Sequence, residues 1–234
     1  MCTAIITGTG QGIGKAIASL LLKQGYFVYG ISRKNYINNP NFKHLRFDLS
    51  DVQALKEIPL PKIKTNKIIL INNAATIGEI SPLGLKKDIN IVKEYNVNII
   101  APTILCRKFI NEYIDIEKLI INISSGAAHN AIASWSVYCA SKAALEMLTK
   151  VIDKENHNLL KIYSVHPGIV NTNMQKTIRN TKVELFPEKK KFNLYYENNE
   201  LENVDVVANK LFYIIKNTSR FNENILSIRN IHLN

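Results

Sequence analysis

The chain has 234 residues, which suits one α/β domain with a full core better than two domains. Hydrophobic residues make up 46% and charged residues 21%, an ordinary globular composition. No apolar run reaches the ~18 residues that a bilayer span requires, so membrane insertion is not expected. The net charge of +11 is dispersed, Lys189-Lys190-Lys191 apart, with no aromatic-interleaved basic stripe. It argues against a nucleic-acid reader and for small anionic partners.

Thr3–Thr7 reads as a buried strand. It runs into Thr7-Gly8-Thr9-Gly10-Gln11-Gly12-Ile13-Gly14, and a helix follows over Ile13–Gln24, stopped by Gly25. Glycines let a backbone turn tightly and approach a pyrophosphate, and a helix N-terminus offers free N–H groups to the anion. A tight structural turn uses the same residues. The strand-loop-helix context favours a dinucleotide cradle around Gly8, Gly12, Ile13 and Gly14. Tyr26–Ile31 is the second strand. NAD-binding folds place an acid near its end for the ribose 2′-hydroxyl. Here Ser32-Arg33-Lys34 follows instead. Arg33 suits a 2′-phosphate, with Ser32 adding a hydroxyl donor, so NADP(H) is favoured over NAD(H). The bland alternative is an exposed basic loop.

Lys43–Phe47 and Lys67–Ile71 continue the strands. Asp88–Tyr113 reads as one long helix, kinked near Pro102. Leu119–Ile123 is the next strand, ending at Ser124-Ser125. Tyr138–Glu155 reads as a second long helix. Tyr138 and Lys142 share its face at i,i+4, either as a buried phenol with a snorkelling lysine or as an acid–base pair. Leu160–Val165 is a sixth strand. The polar stretch 171–200 carries the weakest structural signal and reads as a mobile flap. Val204–Lys216 is a late helix, and Ile225–Ile228 a short last strand. Strands that alternate with helices and are apolar throughout predict a single three-layer α/β/α domain on a doubly wound parallel sheet, Rossmann-like in architecture.

Cys2, Cys106 and Cys139 are odd in number and lack CxxC spacing, which suits a reducing cytoplasm. The N-terminus has no secretory pattern, so a cytoplasmic location is expected. The five histidines are scattered and form no HxxxH or HExxH pattern, so no metal site is expected.

Taken together, TGxxxGIG at Thr7–Gly14 and Tyr138-x-x-x-Lys142 resemble the short-chain dehydrogenases/reductases over nearly the whole chain. Other runs match in the family's order. The resemblance implies that Asp48 bonds the adenine. Asn73 and Ala74, in Asn72-Asn73-Ala74-Ala75, steady the cofactor, with Ala75 where the family has glycine. It implies a helix asparagine at Asn98, a catalytic serine at Ser125, 13 residues before the tyrosine, and nicotinamide contacts from Pro167, Gly168 and Thr172. The runs Trp135–Ala144 and His166–Gln175 resemble the sepiapterin reductase and bacterial benzil reductase branch. That branch implies NADPH-dependent reduction of a vicinal diketone or a pterin side-chain ketone, with Trp135 and Met174 touching substrate. Asn171 stands where the branch usually has an acid. Ser227 stands where pterin reductases carry an aspartate, which leaves aryl or alkyl diketones as the broader expectation. Relatives pair through the two long helices, so a homodimer or homotetramer is implied.

The chemistry of the pair follows from elementary electrostatics. A free tyrosine titrates near pH ~10 and is a poor acid–base group at neutrality. An ammonium about 5 Å from the phenol, at an effective dielectric near ~20, favours the phenolate by roughly 3 kcal/mol, or ~2 pK units. The expected reaction is hydride transfer to a carbonyl carbon, with Ser125 hydrogen-bonding the oxygen and Tyr138 protonating it. Lys142 also holds the nicotinamide ribose, and Asn98 supports a proton-supplying water, as the resemblance implies. The same fold running in reverse as an alcohol dehydrogenase, or a catalytically idle NADP sensor, are the alternatives.

Overall fold

The computed structural model describes residues 2–63 and 65–233. Seven strands lie in one parallel sheet: β1 (Cys2–Thr7), β2 (Phe27–Ser32), β3 (Phe42–Arg46), β4 (Lys67–Asn72), β5 (Glu117–Ile123), β6 (Leu160–His166) and β7 (Ile225–Ser227). Their order is β3-β2-β1-β4-β5-β6-β7. The chain therefore winds outward in one direction from β1 to β3 and in the other from β4 to β7. The helices are α1 (Gly12–Lys23), α2 (Val52–Lys56), α3 (Asp88–Tyr95), α4 (Ala101–Glu112), α5 (Ser136–Lys154), α6 (Asn173–Asn180), α7 (Lys189–Glu197) and α8 (Val204–Lys216).

Strand side chains alternate between two cores, as the two-residue period of a strand requires. Ala4, Ile6, Ile69, Ile71, Ile121 and Val165 face α1 and α8 and pack with Ile17, Leu21, Leu211 and Ile214. Ile5, Ile68, Leu70, Ile120 and Ile162 face the opposite layer and pack with Leu55, Leu105, Phe109 and Ile152. Strands buried on both faces have to be apolar throughout, which is why their sequence shows runs with no alternation. α1 ends in a glycine-stopped turn. Gly25, at φ 79°, lets its own N–H reach Leu22 O and the Tyr26 N–H reach Leu21 O.

One expectation from the sequence is corrected. The single helix over Asp88–Tyr113 is two helices joined by a five-residue π-helical turn, Asn96–Ile100. Pro102 has no N–H for the Asn98 carbonyl four residues back, so an unbroken α-helical ladder is impossible there, and the wider turn absorbs the defect. The stretch 171–200, where the sequence signal is weakest, contains α6 and α7. Ile178 and Phe192 on these helices, with Phe186 between them, are buried in one cluster with Trp135 and Tyr138. The polar residues of the stretch mask an amphipathic pattern whose apolar side is supplied by only a few large side chains.

Candidate active site

An open α/β sheet binds ligands outside the carboxyl ends of its strands, where the winding reverses. Here that point lies between β1 and β4, and a cleft of about 2020 Å³ opens over it. Every residue singled out from the sequence lines this cleft except Gly14 and Asn98, which brace it from beneath.

At the β1 end the cleft floor is bare backbone. Gly8 and Gly12 sit at φ 77° and 56°, where a side chain is strained. A Cβ on Gly14 would lie 2.3 Å from Asn73 Nδ2 and 2.4 Å from the Gly8 carbonyl oxygen. Asn73 Nδ2 donates to Thr7 O at 2.9 Å. Thr7 Oγ1 accepts from the N–H groups of Asn73 and Ala74 at 3.0 and 2.9 Å. The asparagine run after β4 thus clamps the glycine loop, and Asn73 acts on the loop itself. Gln11 caps α1 without a side-chain hydrogen bond, so the N–H groups of the first turn stay available to an anion.

At the β2 end, Arg33 shares the cleft wall with Lys34, Arg46 and Lys93, which the sequence alone did not single out. They come from three elements and become a basic patch only in the fold. Asp48 lies beside them. The Ser50 N–H first, then its hydroxyl and the charges of Arg33 and Lys93, hold its carboxyl below the usual range against a smaller burial effect. Ser32 lies at the same wall, its hydroxyl donating to Lys34 O at 2.7 Å and lying 3.0 Å from His44 Nε2.

The catalytic candidates gather at the ends of β5 and β6. Ser125 lies beside the Tyr138 phenol on the cleft wall, and its hydroxyl accepts from the Ala127 N–H at 3.1 Å. Its neighbour Ser124 is buried and donates to Glu146 Oε1 at 3.0 Å. Lys142 lies one turn beyond Tyr138, its Nζ 5.7 Å from the ring centroid and donating to Ile123 O at 2.7 Å. Burial, opposed by the Ser125 hydroxyl, pushes the Tyr138 phenol up to about 12. Burial likewise pushes Lys142 down to about 8, with the Glu146 charge opposing. The expectation that Lys142 brings the phenol toward neutrality is therefore overturned for the folded chain by itself. Desolvation of the buried phenolate dominates.

Asn98 is fully engaged. Its Oδ1 accepts from the Thr76 N–H at 2.9 Å, and its Nδ2 donates to Thr76 O at 2.9 Å and to Ser141 Oγ at 3.2 Å. It ties the π-turn, the loop after β4 and α5 together directly beneath Tyr138. Trp135 serves as both wall and core. It lines the cleft, stacks on Phe186 at 5.6 Å with an interplanar angle of 9°, and meets Tyr138 edge-on at 5.6 Å. Met174 and Thr172 border the same space, with Phe192 and Tyr195 behind them. The aromatic partners on α7 lie more than fifty residues from Trp135, so no local pattern announces them.

The scattered histidines also converge. His129 Nε2 lies 2.7 Å from Glu146 Oε2, and His166 Nε2 is hydrogen-bonded to Glu146 Oε1. Burial alone would raise the Glu146 carboxyl. His166, Ser124 and His129 outweigh it and hold the group below the usual range. Among the described residues, Cys106 is buried and Cys2 and Cys139 are partly buried, and all three are free thiols.

The comparisons agree with this geometry. A family model described as short chain dehydrogenase matches residues 2–183. A Bacillus cereus protein, benzil reductase ((S)-benzoin forming), is 35% identical over 225 residues, covering 87% of this chain and 90% of that one. Sepiapterin reductase of Rattus norvegicus is 33% identical over 140 residues, 57% of this chain and 52% of that one. A short-chain dehydrogenase/reductase structure from Saccharomyces cerevisiae superposes with a TM-score of 0.86 at 24% identity, covering 98% of this chain and 97% of that one. With its reversing parallel sheet, its clamped glycine loop and its Ser125–Tyr138–Lys142 constellation, the chain belongs to the short-chain dehydrogenase/reductase family.

Proposed function

We propose that this member of the family is an NADPH-dependent carbonyl reductase acting on a vicinal diketone or a related aryl or alkyl ketone. The observation that carries the reading is that Ser125 and Tyr138 line the same cleft, with the Lys142 Nζ 5.7 Å from the Tyr138 ring one helical turn away. The likeness to a benzil reductase and to a sepiapterin reductase supports the substrate class. Ser227, at the end of β7, lines the cleft where a pterin reductase would have its acid, which favours the diketone.

The residues present fit a dinucleotide phosphate. The side-chain-free floor at Gly8 and Gly14, where a Cβ would collide with Asn73, leaves room for a pyrophosphate against the α1 N–H groups. Arg33, aided by Lys34 and Arg46, would hold the 2′-phosphate by charge-assisted bonds, and Asp48 the adenine. Pro167, Gly168 and Thr172 would border the nicotinamide, and Lys142 its ribose. The bound cofactor supplies the hydride. Ser125 then donates a hydrogen bond to the substrate oxygen as negative charge develops there, and Tyr138 transfers its phenolic proton to that oxygen. The resulting phenolate is met by the Lys142 ammonium. Asn98 fixes the π-turn, and a water held at that turn returns the proton. Exposed Ile89, Val92, Ile100, Met147 and Val151 on the outer faces of α3–α5 support a homodimer or homotetramer. The working location is the cytoplasm.

The test is an NADPH-oxidation screen over benzil, diacetyl, sepiapterin and simple aldehydes, repeated with Arg33→Ala. A diketone should be the best substrate. The variant should raise the NADPH KM by ~10-fold or more while sparing NADH, since a bond to a charged group is lost. Equal effects on both cofactors would defeat the 2′-phosphate assignment.

A further inference from the structure

Behind the catalytic residues, three elements aim metal-ligating atoms at one point. His129 follows the turn after β5, Glu146 lies mid-way along α5, and His166 ends β6. We propose that His129, Glu146 and His166 bind one divalent transition-metal ion of the zinc class, and that its occupancy slows the reductase. The consequence for turnover rests on the reductase reading; the site itself does not.

Two imidazoles and a carboxylate are the donor set that zinc and its neighbours prefer, whereas magnesium and calcium take oxygen alone. One ligand atom from each residue lies within 4.8 Å of the other two. Ligands at about 2.0–2.2 Å from a tetrahedral zinc sit roughly 3.4 Å apart, so small side-chain movements close the site. Glu146 and His166 are held by helix and strand, and His129 caps the short 3-10 turn Gly126–Ala128. Glu146 gives the ion its reason to stay. Its side chain is 3% exposed and meets Ser124 Oγ and the two imidazoles. A dication in place of two N–H protons compensates a buried carboxylate more fully. The entry path is open, because the His129 side chain is 55% exposed.

The same position explains the effect on turnover. Glu146 lies one turn beyond Lys142, and its negative charge now favours the ammonium. A dication on Glu146 reverses the sign of the local field and disfavours the charged lysine on which Tyr138 depends.

The experiment uses tag-free, chelator-stripped protein. Cobalt is titrated while visible d–d absorption is followed, zinc binding is measured by calorimetry, and NADPH oxidation with benzil is followed in the presence of zinc. His129→Ala removes the exposed ligand, and His157→Ala breaks an unrelated exposed His–Glu pair as a control. Wild type and His157→Ala should each take up one equivalent. His129→Ala should bind about tenfold more weakly or worse, since even outer-shell changes at metal sites cost that much. Zinc inhibition should be reversed by chelator and lost in the same variant. No uptake, or undiminished uptake by His129→Ala, overturns the site. Uptake without inhibition overturns its link to the reductase. The binding measurements need no turnover, so their failure and that of the reductase reading are separable.

Discussion

The two ends of the cleft are built in different ways. The β1–β2 end is made of backbone: glycines at positive φ, free N–H groups of α1, and one asparagine clamp. The β5–β6 end is made of side chains gathered across long stretches of chain, with Trp135 against Phe186 and Phe192, and Glu146 between His129 and His166. A backbone device works at fixed local spacing, because each glycine answers a steric demand of its immediate neighbours. A side-chain device needs only that its elements meet in space. The first end should therefore fail as a cofactor site and the second as a catalytic or substrate site, each without the other.

The largest effect should come from Tyr138→Phe. Deleting the proton donor should lower turnover by about 100- to 10,000-fold, the range spanned by general acid catalysis. NADPH affinity, read by fluorescence of the bound cofactor, should stay within a few-fold of wild type, because the glycine loop and the basic wall are untouched. A comparable loss of cofactor affinity would mean that the two ends are not separable and that the phenol is chiefly a cofactor ligand.

Phe186→Ala tests the same separation through packing. Phe186 is fully buried between Trp135 and Phe192, and removing a ring of this kind costs about 3–5 kcal/mol. Its cluster, Ile77, Ile80, Ala127, Trp135, Tyr138, Ile178 and Phe192, shares no member with the two cores on either face of the sheet. The loss should fall on α6 and α7, speed proteolysis within 171–200, and raise the diketone KM while cofactor affinity holds. Global unfolding at the same denaturant concentration as the sheet would show that the cap is continuous with the core.

The contrast also explains what could be read in advance. The strands, the glycine loop and the Tyr138–Lys142 pair were legible because each is a short-range pattern: a run, a loop, an i,i+4 spacing. The pairing of Ser125 with Tyr138 on one cleft was suggested by their spacing, whereas the Ser124 bond to Glu146 shows only in the fold. The π-turn at Asn96–Ile100 was half legible, through Pro102 but not its outcome. The basic wall of Lys34, Arg46 and Lys93, the α7 aromatics and the His–Glu–His cluster were not legible. Nothing in the spacing of 129, 146 and 166 marks a shared site, because sheet topology alone brings them together. The pKa of Tyr138 was misjudged for a related reason. Charge proximity can be read from i,i+4, whereas desolvation depends on what the rest of the chain lays over the ring.

The smallest effect, and the one that sharpens the comparison most, is the pH dependence assigned to Lys142. With Tyr138 at about 12, the acid is protonated across the working range, so it sets no limb below that. Lys142, pushed down to about 8, loses its charge as pH rises through that value. Reduction should thus be level below neutrality and decline about tenfold per pH unit above ~8. Stability should move the other way. The folded lysine titrates below its unfolded value of 10.5, so between about 8 and 10.5 the unfolded chain binds the extra proton and stability rises with pH. This contribution is at most ~1.4 kcal/mol per unit. Cys106, raised from 9.0 to about 12 by burial, works in the opposite sense as pH climbs above 9. The comparison is therefore made between wild type and Lys142→Met, in which only the lysine's share disappears. The difference between their denaturation midpoints should widen in favour of wild type from pH 8 to 10, while wild-type turnover falls. Parallel decline of activity and stability would mean that the alkaline limb is unfolding, and that Lys142 is not the group whose charge the catalytic end requires.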